Sequence, residues 1–535
     1  MILEKIGRAW KKSDDGVEQK KIRIYSWKKI FSSDVTPIIS ADEDALIEAV
    51  RAGDYSCLGK SHSFNGIQIT MGSNCLDLAK SGFCNLQFDP ETRRLTVSAS
   101  NTIQEAKEAI RIDDKKIKKG QSWQEGYSLF NSGNYMQQTL IGALVTGTHG
   151  YGERPVMADA IVSLTFLDEA GESHTLHRDD EDDGKREAFK YVALSFGTIG
   201  PIVEVVLEVM PNRAYRSETW IGKFSQKEQW SKGAVATSYL ILPYSDPQDP
   251  VMLLHCLFDP RPGDPEPKNP EINNSSLFSG RRFAECILRY YWALDRLFPW
   301  FRRRLHKWIS ARRWISSKKP AYHKFETINS NDMDFLYDPE PGLSTKRRIT
   351  KIGDTFSSIL QGMFSTTHTS YNLAFFVPLE KAPVVVRFIM NEAIQFADLG
   401  FYLKNLIGVR ELPGKSDLPF AGNFKGPVVA IDLFADVRDY AWLERLEREV
   451  LYYCPETRPH WGKSAIVDEF RESVGVEHLE KLRRLHEQYY RNGRLKLNER
   501  VRRLLGIKGP VTGSPIDKAL KQSKMPIEKG IGVKN

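Results

Sequence analysis

The sequence predicts an α+β protein of two domains followed by a closing C-terminal segment. Two observations predict it. The 535 residues are 41% hydrophobic and 27% charged, the balance of a globular chain long enough for more than one core. Strand-like and helix-like runs are interspersed in two successive blocks, 30–213 and 214–425.

In the first block, Asp42-Glu43-Asp44-Ala45-Leu46-Ile47-Glu48-Ala49-Val50 has helical spacing, with acids in its first turn and Ser40 as the expected N-cap. Strands are expected at 95–99, 160–167 and 202–209, where β-branched residues alternate or run together, with helices at about 103–111 and 185–195 between them. In the second block, prolines crowd 243–270, predicting a long surface loop. Helical stripes follow at 384–399 and 440–453, separated by the strand-like Pro427-Val428-Val429-Ala430-Ile431-Asp432-Leu433-Phe434. The expected division is an N-terminal extension 1–29, domains 30–213 and 214–425, a segment 426–505 that closes the active site, and a loose Lys/Gly/Pro-rich tail at 506–535.

Composition excludes several classes. Six cysteines without a C-x-x-C pair indicate neither a zinc ribbon nor a disulfide framework, so a reducing compartment is the default. Residues 1–21 alternate charges and lack an apolar export core, and no run approaches a spanning helix, which predicts a cytoplasmic protein or one resting on a membrane surface. Gly59-Lys60-Ser61 invites a P-loop reading, but Asp54 stands where that motif needs its first glycine. There is no G-x-G-x-x-G between a strand and a helix, no G-x-S-x-G and no H-E-x-x-H, so no metal site is expected.

Two glycine-dense loops carry the chemistry. The first is Gly59-Lys60-Ser61-His62-Ser63; the second runs from Gln138 to Gly150 through Gly142-Ala143 and Thr146-Gly147-Thr148-His149. Glycines interleaved with hydroxyl residues bring backbone N–H donors close to an anion and suit a pyrophosphate, although either loop alone also reads as tight turns. A third segment is Ser195-Phe196-Gly197-Thr198-Ile199-Gly200-Pro201-Ile202-Val203, and a fourth is Arg458-Pro459-His460-Trp461-Gly462-Lys463.

Together these segments resemble the vanillyl-alcohol oxidase family, with its PCMH-type FAD-binding domain, and within it the sugar-lactone and alditol oxidase branch. Ser61 and Ile141 stand where that family commonly has glycine. The resemblance covers 30–213 well and about 370–505 more weakly. It implies an FAD-dependent oxidoreductase that oxidises a CH–OH group by hydride transfer to flavin N5, with O₂ or another acceptor taking the electrons. Cofactor contacts would come from Gly59, Lys60, Ser61, His62, Ser63, Gly142, Ala143, Thr146, Gly147, Thr148, His149, Gly150, Gly197, Gly200 and Val203, and His62 matches a position that often carries the flavin covalently. His149 would organise its loop.

Such chemistry needs a group for the hydroxyl proton and a cation for the negative charge that develops on the flavin. The resemblance assigns Lys463, Arg410 and His460 to catalysis. It also asks for an acid two residues before Arg410, where this chain has Gly408. Glu411 would face the other side of a strand. The departure predicts a site without a buried carboxylate, and hence a larger or more apolar alcohol, lactone or polyol as the small-molecule substrate.

Residues 281–319, inside an insertion expected at about 271–330, hold 12 Lys/Arg, two acids and nine aromatics. That mixture suits peripheral contact with an anionic membrane, or a helical insertion packed on the cap with solvated arginines; without a nucleic-acid motif elsewhere, RNA or DNA binding is disfavoured. The rival functional reading is a non-catalytic flavin-fold protein that uses this insertion to bind a membrane or nucleic acid.

Overall fold

The computed structural model describes residues 22–265, 322–329 and 370–507, apart from short internal gaps, together with Arg304. The basic aromatic segment 281–319, apart from Arg304, and the tail beyond 507 lie outside the described residues.

The first domain joins two small sheets. In one, the parallel strands Ser32–Ile38 and Tyr55–Leu58 flank Asn74–Asp77, with Ile22–Tyr25 at the edge. In the other, five antiparallel strands run in the order Leu86–Asp89, Arg94–Ser98, Ile202–Glu208, Ile161–Leu167, Ser173–His177. The expected strands and helices are present with small shifts, the helices spanning Ile103–Ile110 and Asp183–Val192. The early helix is Glu43–Ala52, and its N-cap is Asp42, which accepts from Ala45 N–H, rather than Ser40.

The second domain is an antiparallel sheet of eight described strands: Tyr322–Asn329, Ala214–Lys223, Val251–Phe258, Ala236–Ile241, Ile407–Leu412, Val428–Asp436, Ser370–Pro378 and Arg458–Pro459. Two sequence expectations need correction. The proline-rich stretch contains the strand Val251–Phe258: Pro250 and Pro260 stand outside it, and the proline-free Val251-Met252-Leu253-Leu254-His255-Cys256-Leu257-Phe258 pairs on both sides. The division at 425 falls within the sheet, because Val428–Asp436 is hydrogen-bonded between Ile407–Leu412 and Ser370–Pro378.

Strand alternation gives this sheet two characters. Val409, Ile431, Leu433, Leu373 and Phe375 point to one face and are covered by the helices Ala382–Asp398 and Tyr440–Tyr453 through Val385, Ile389, Leu443 and Leu446. Gly408, Arg410, Asp432, Phe434 and Asn372 belong to the opposite face and line a cleft against the first domain. The chain then returns: helices Val476–Tyr489 and Glu499–Leu505 bury Leu479, Leu482, Val501 and Leu504 in the core of the first domain. The stretch around 458–466 reaches the charged end of the cleft, where His460, Gly462 and Lys463 line it. Among the described residues, no helix is long and apolar enough to cross a membrane.

Candidate functional site

The cleft between the domains encloses about 1930 Å³ of space free of atoms, open solvent at its mouth included. One wall is built by the two glycine loops, which meet at Thr139. A Cβ placed on Gly59 would lie 2.4 Å from Thr139 Oγ1, and one on Gly142 would lie 2.7 Å from the same atom. A side chain at Gly59 would press on Thr139 of the second loop, and one at Gly142 on Thr139 of its own loop, so glycine at both positions lets the first loop close on the start of the helix Leu140–Val145. Ser61 occupies the left-handed region at φ 55°, a conformation that suits the glycine common at this place in the resembled family. Phe196 is left-handed too, at φ 42°, and stacks on Trp461 with ring centroids 4.2 Å apart. That contact joins the first domain to the C-terminal motif.

Of the residues expected at the cofactor, Gly59 to Ser63, Gly142, Ala143, Thr146, Thr148, His149 and Gly197 line the cleft. Gly147, Gly150, Gly200 and Val203 do not. Gly147 (φ 71°) and Gly200 (φ 123°) are required by backbone turns, Gly150 packs so that a Cβ would meet Ser132 O at 2.8 Å, and Val203 is a core residue of Ile202–Glu208. The Thr146 hydroxyl donates to Gly142 O at 2.9 Å, back into its own helical turn rather than into the cleft.

At the other end of the cleft lies a cluster of charge. Asp432 is 5% exposed; its Oδ1 accepts from Lys463 Nζ at 2.7 Å and its Oδ2 from Arg410 Nη2 at 2.6 Å. Burial works against the carboxylate, but the Lys463 and Arg410 charges prevail and hold it well below the usual range. Burial likewise lowers Lys463, with Asp432 partly restoring it. Arg410 also donates to His149 O at 3.3 Å.

The two histidines here are neutral. Burial, then the Arg410 and Lys463 charges, push His149 down to about 3, while burial followed by Lys463 carries His460 well below its ordinary value. His149 Nδ1 lies 3.1 Å from Gly150 O, so it carries the proton and organises its own loop. His460 Nδ1 accepts from Gly462 N–H at 3.3 Å, which leaves the proton on Nε2; its ring stacks on Phe376.

The acid that the sequence seemed to lack is therefore present, one strand away. Gly408 and Asp432 are direct partners in the register of neighbouring strands, and a Cβ on Gly408 would lie 3.4 Å from Asp432 Cβ. The expected carboxylate-free site is corrected by this geometry: the carboxylate stands on the strand paired with Gly408. Glu411 points away and pairs with Lys227 at 2.7 Å. A signal for Asp432 was available, since a lone charge inside Val428-Val429-Ala430-Ile431-Asp432-Leu433-Phe434 is costly to bury without a partner. Sequence reasoning also missed Thr139, Gln68 and Asn372.

The cleft fits a large polar cofactor. His149 Nε2, Gln68 Oε1 and Asn372 Oδ1 are buried at its lining without a hydrogen-bond partner among the described residues, which is costly unless a ligand supplies donors. His62 lines the same cleft, its ring 6.2 Å from that of Tyr135.

Comparison with known proteins agrees. Residues 38–177 match the family model described as an FAD binding domain. Over 131 residues the chain is 31% identical to D-arabinono-1,4-lactone oxidase of Candida albicans, covering 24% of this chain and 21% of that protein. The same-named protein of Saccharomyces cerevisiae is 33% identical over 108 residues, 20% of each chain. The matched part thus spans about a fifth of these relatives. In fold, a solvent-stable cholesterol oxidase superposes with a TM-score of 0.60 at 13% identity over 91% of this chain and 97% of that one. A 6-hydroxy-D-nicotine oxidase from Arthrobacter nicotinovorans gives 0.55 at 12%, over 91% and 98%. The fold is that of the PCMH-type FAD-binding oxidases, and the cofactor is FAD.

Proposed function

We propose that this FAD-binding chain is an oxidoreductase that converts a CH–OH group into a carbonyl at the Arg410–Asp432–Lys463 cluster. The observation that carries the reading is the buried carboxylate between two cations at the end of a cleft walled by the FAD binding domain. Bound FAD supplies the two-electron chemistry, accepting the C–H electron pair with its hydrogen as a hydride equivalent.

The chain's residues manage charge and orientation. Each oxygen of Asp432 keeps a lone-pair site beyond its Lys463 or Arg410 bond, so the carboxylate can accept the substrate hydroxyl. As the C–H bond breaks, the hydroxyl becomes far more acidic than any carboxylic acid, and even a carboxylate held low takes its proton on Oδ. Lys463 and Arg410 supply fixed positive charge in a site of low polarity, stabilising negative charge as it develops. His460, with its proton on Nε2, is a donor rather than a base. The balance closes with one hydride equivalent to FAD, one proton to Asp432, a carbonyl product, and two electrons passed on to O₂ or another acceptor.

The cluster also supports the kind of substrate. A buried carboxylate flanked by two donors recognises hydroxyl groups, so a polar lactone or polyol, in keeping with the names of the lactone-oxidase relatives, fits better than an apolar alcohol. Anaerobic mixing of the FAD-loaded protein with aldonolactones, alditols and sterol-type alcohols tests this: bleaching of the flavin band by the first two classes is expected. Bleaching only by the third would overturn the substrate class, and bleaching by none would overturn the enzyme. Covalent attachment at His62 is part of the same reading; acid precipitation should carry the flavin into the pellet for the native chain and release it for His62→Ala. Residues 281–319 support peripheral membrane contact by composition, and flotation on anionic vesicles should fall on reversing Arg302, Arg303 and Arg304 to Glu.

A further inference from the structure

Lys463 is carried by an irregular turn, Trp461–Ile466, whose backbone groups are held from four separate parts of the chain. Phe64 N–H donates to Gly462 O at 2.7 Å, and Asn65 Nδ2 donates to Trp461 O and Ser464 O at 2.8 and 3.0 Å. Tyr371 OH, on strand Ser370–Pro378, donates to Lys463 O at 2.8 Å. From helix Tyr440–Tyr453, the Glu447 side chain accepts from both Ala465 N–H (2.7 Å) and Ile466 N–H (3.0 Å) through Oε2, while Tyr440 OH donates to Ala465 O at 3.2 Å. From the helix Glu499–Leu505, Arg500 donates to Ala465 O through Nη1 and to Tyr440 OH through Nη2.

Glu447 and Arg500 are 0% and 5% exposed. Neither lines the cleft, yet together they hold both sides of the peptide group two residues beyond Lys463. Buried ionisable groups are expensive, and a pair whose hydrogen bonds converge on one short backbone stretch fixes that stretch.

We propose that Glu447 and Arg500 form a clasp that positions Lys463, and that the C-terminal helix is thereby a working part of the catalytic cluster. The inference rests on the assignment of Lys463 above. Loss of the clasp lets the turn relax and draws Nζ away from Asp432, without removing any group that touches substrate or cofactor. Displacement by about 1 Å is enough to lower turnover by about a hundredfold. A cation beside a redox group also raises its midpoint potential, so a displaced Lys463 lowers that of bound FAD.

The test compares Glu447→Ala, Glu447→Gln, Tyr371→Phe and Lys463→Met in the full-length, FAD-loaded protein, reading kcat, KM and the flavin midpoint potential. Glu447→Ala should lower kcat by about ten- to a hundredfold with KM changed by less than about threefold, and should lower the potential in the same direction as Lys463→Met. Glu447→Gln keeps an acceptor oxygen in place and should restore most of both. Tyr371→Phe removes one hydrogen bond to Lys463 O, should show a weaker version of the pattern, and serves if Glu447→Ala does not fold. If Lys463→Met changes kcat and the potential while Glu447→Ala and Tyr371→Phe do not, the clasp is overturned and the function stands. If Lys463→Met changes neither, the assignment of Lys463 falls, and the clasp with it.

Discussion

The two ends of the cleft are specified in different ways. The cradle end is made largely of backbone: Gly59 lets the first loop close on Thr139 of the second, each loop being a contiguous run of sequence. The charged end is made of side chains: Arg410, Asp432 and Lys463 come from two neighbouring strands and a turn, and meet only because of strand register and the return of the chain. A backbone site tolerates little change of residue type, whereas a side-chain site can keep its chemistry while its residues exchange places. Here the carboxylate sits on the strand beside Gly408, within reach of Arg410 and Lys463.

The sharpest way to break the contrast is Asp432→Asn. It keeps the shape but leaves Arg410 and Lys463 without their carboxylate; kcat should fall by about 10²–10⁴-fold, and removing one partner of this buried cluster should destabilise the fold by about 3–5 kcal/mol, read from steady-state rates and denaturant midpoints. Moving the acid back across the strands sharpens it. Asp432→Gly alone should resemble Asp432→Asn, and adding Gly408→Glu, into space vacated beside position 432, should recover at least about tenfold of the lost kcat, or 1.4 kcal/mol. No recovery would mean that the strand position matters and not only the charge.

A third measurement concerns the scaffold behind the charged end. Burial pushes the Glu447 carboxyl up to about 8, so the folded chain keeps a proton that the unfolded chain has lost above about 4.3. Stability should therefore decline as pH rises between those values and level off beyond, and Glu447→Gln should remove that slope in urea titrations. The smallest effect belongs to the cradle: Ser61→Gly relieves a left-handed serine and should stabilise the FAD-loaded protein by about 1 kcal/mol, read as a higher melting temperature.

Legibility in the sequence followed the same divide. The FAD-binding half was readable because its loops are local and its strands alternate regularly, and most residues expected at the cofactor do line the cleft. The stretch 427–434 reads as a strand, but nothing local shows that it pairs with Ile407–Leu412 and Ser370–Pro378 across 425, and proline density hid Val251–Phe258, although the prolines only flank it. Gly408 read as a lost acid because one-dimensional spacing cannot show what stands across a strand pair. The clasp was invisible for the same reason: Glu447 and Arg500 lie 18 and 35 residues from the peptide they hold.

The pairing of Tyr55 with the end of the chain has a bearing on biosynthesis. Tyr55 N–H donates to Arg494 O at 3.0 Å and Lys496 N–H donates to Tyr55 O at 2.6 Å, so residues 494–496 extend the sheet that leads into the first glycine loop. Lys496, Leu497 and Asn498 go on to line the cleft. A ribosome delivers Tyr55 more than four hundred residues before its partner, so the nascent first domain waits with an open sheet edge until residues 494–496 have been made. The cofactor cleft is completed after synthesis of the second domain rather than before it, because its lining includes residues 496–498, and the edge at Tyr55 is exposed to wrong pairing in the interval.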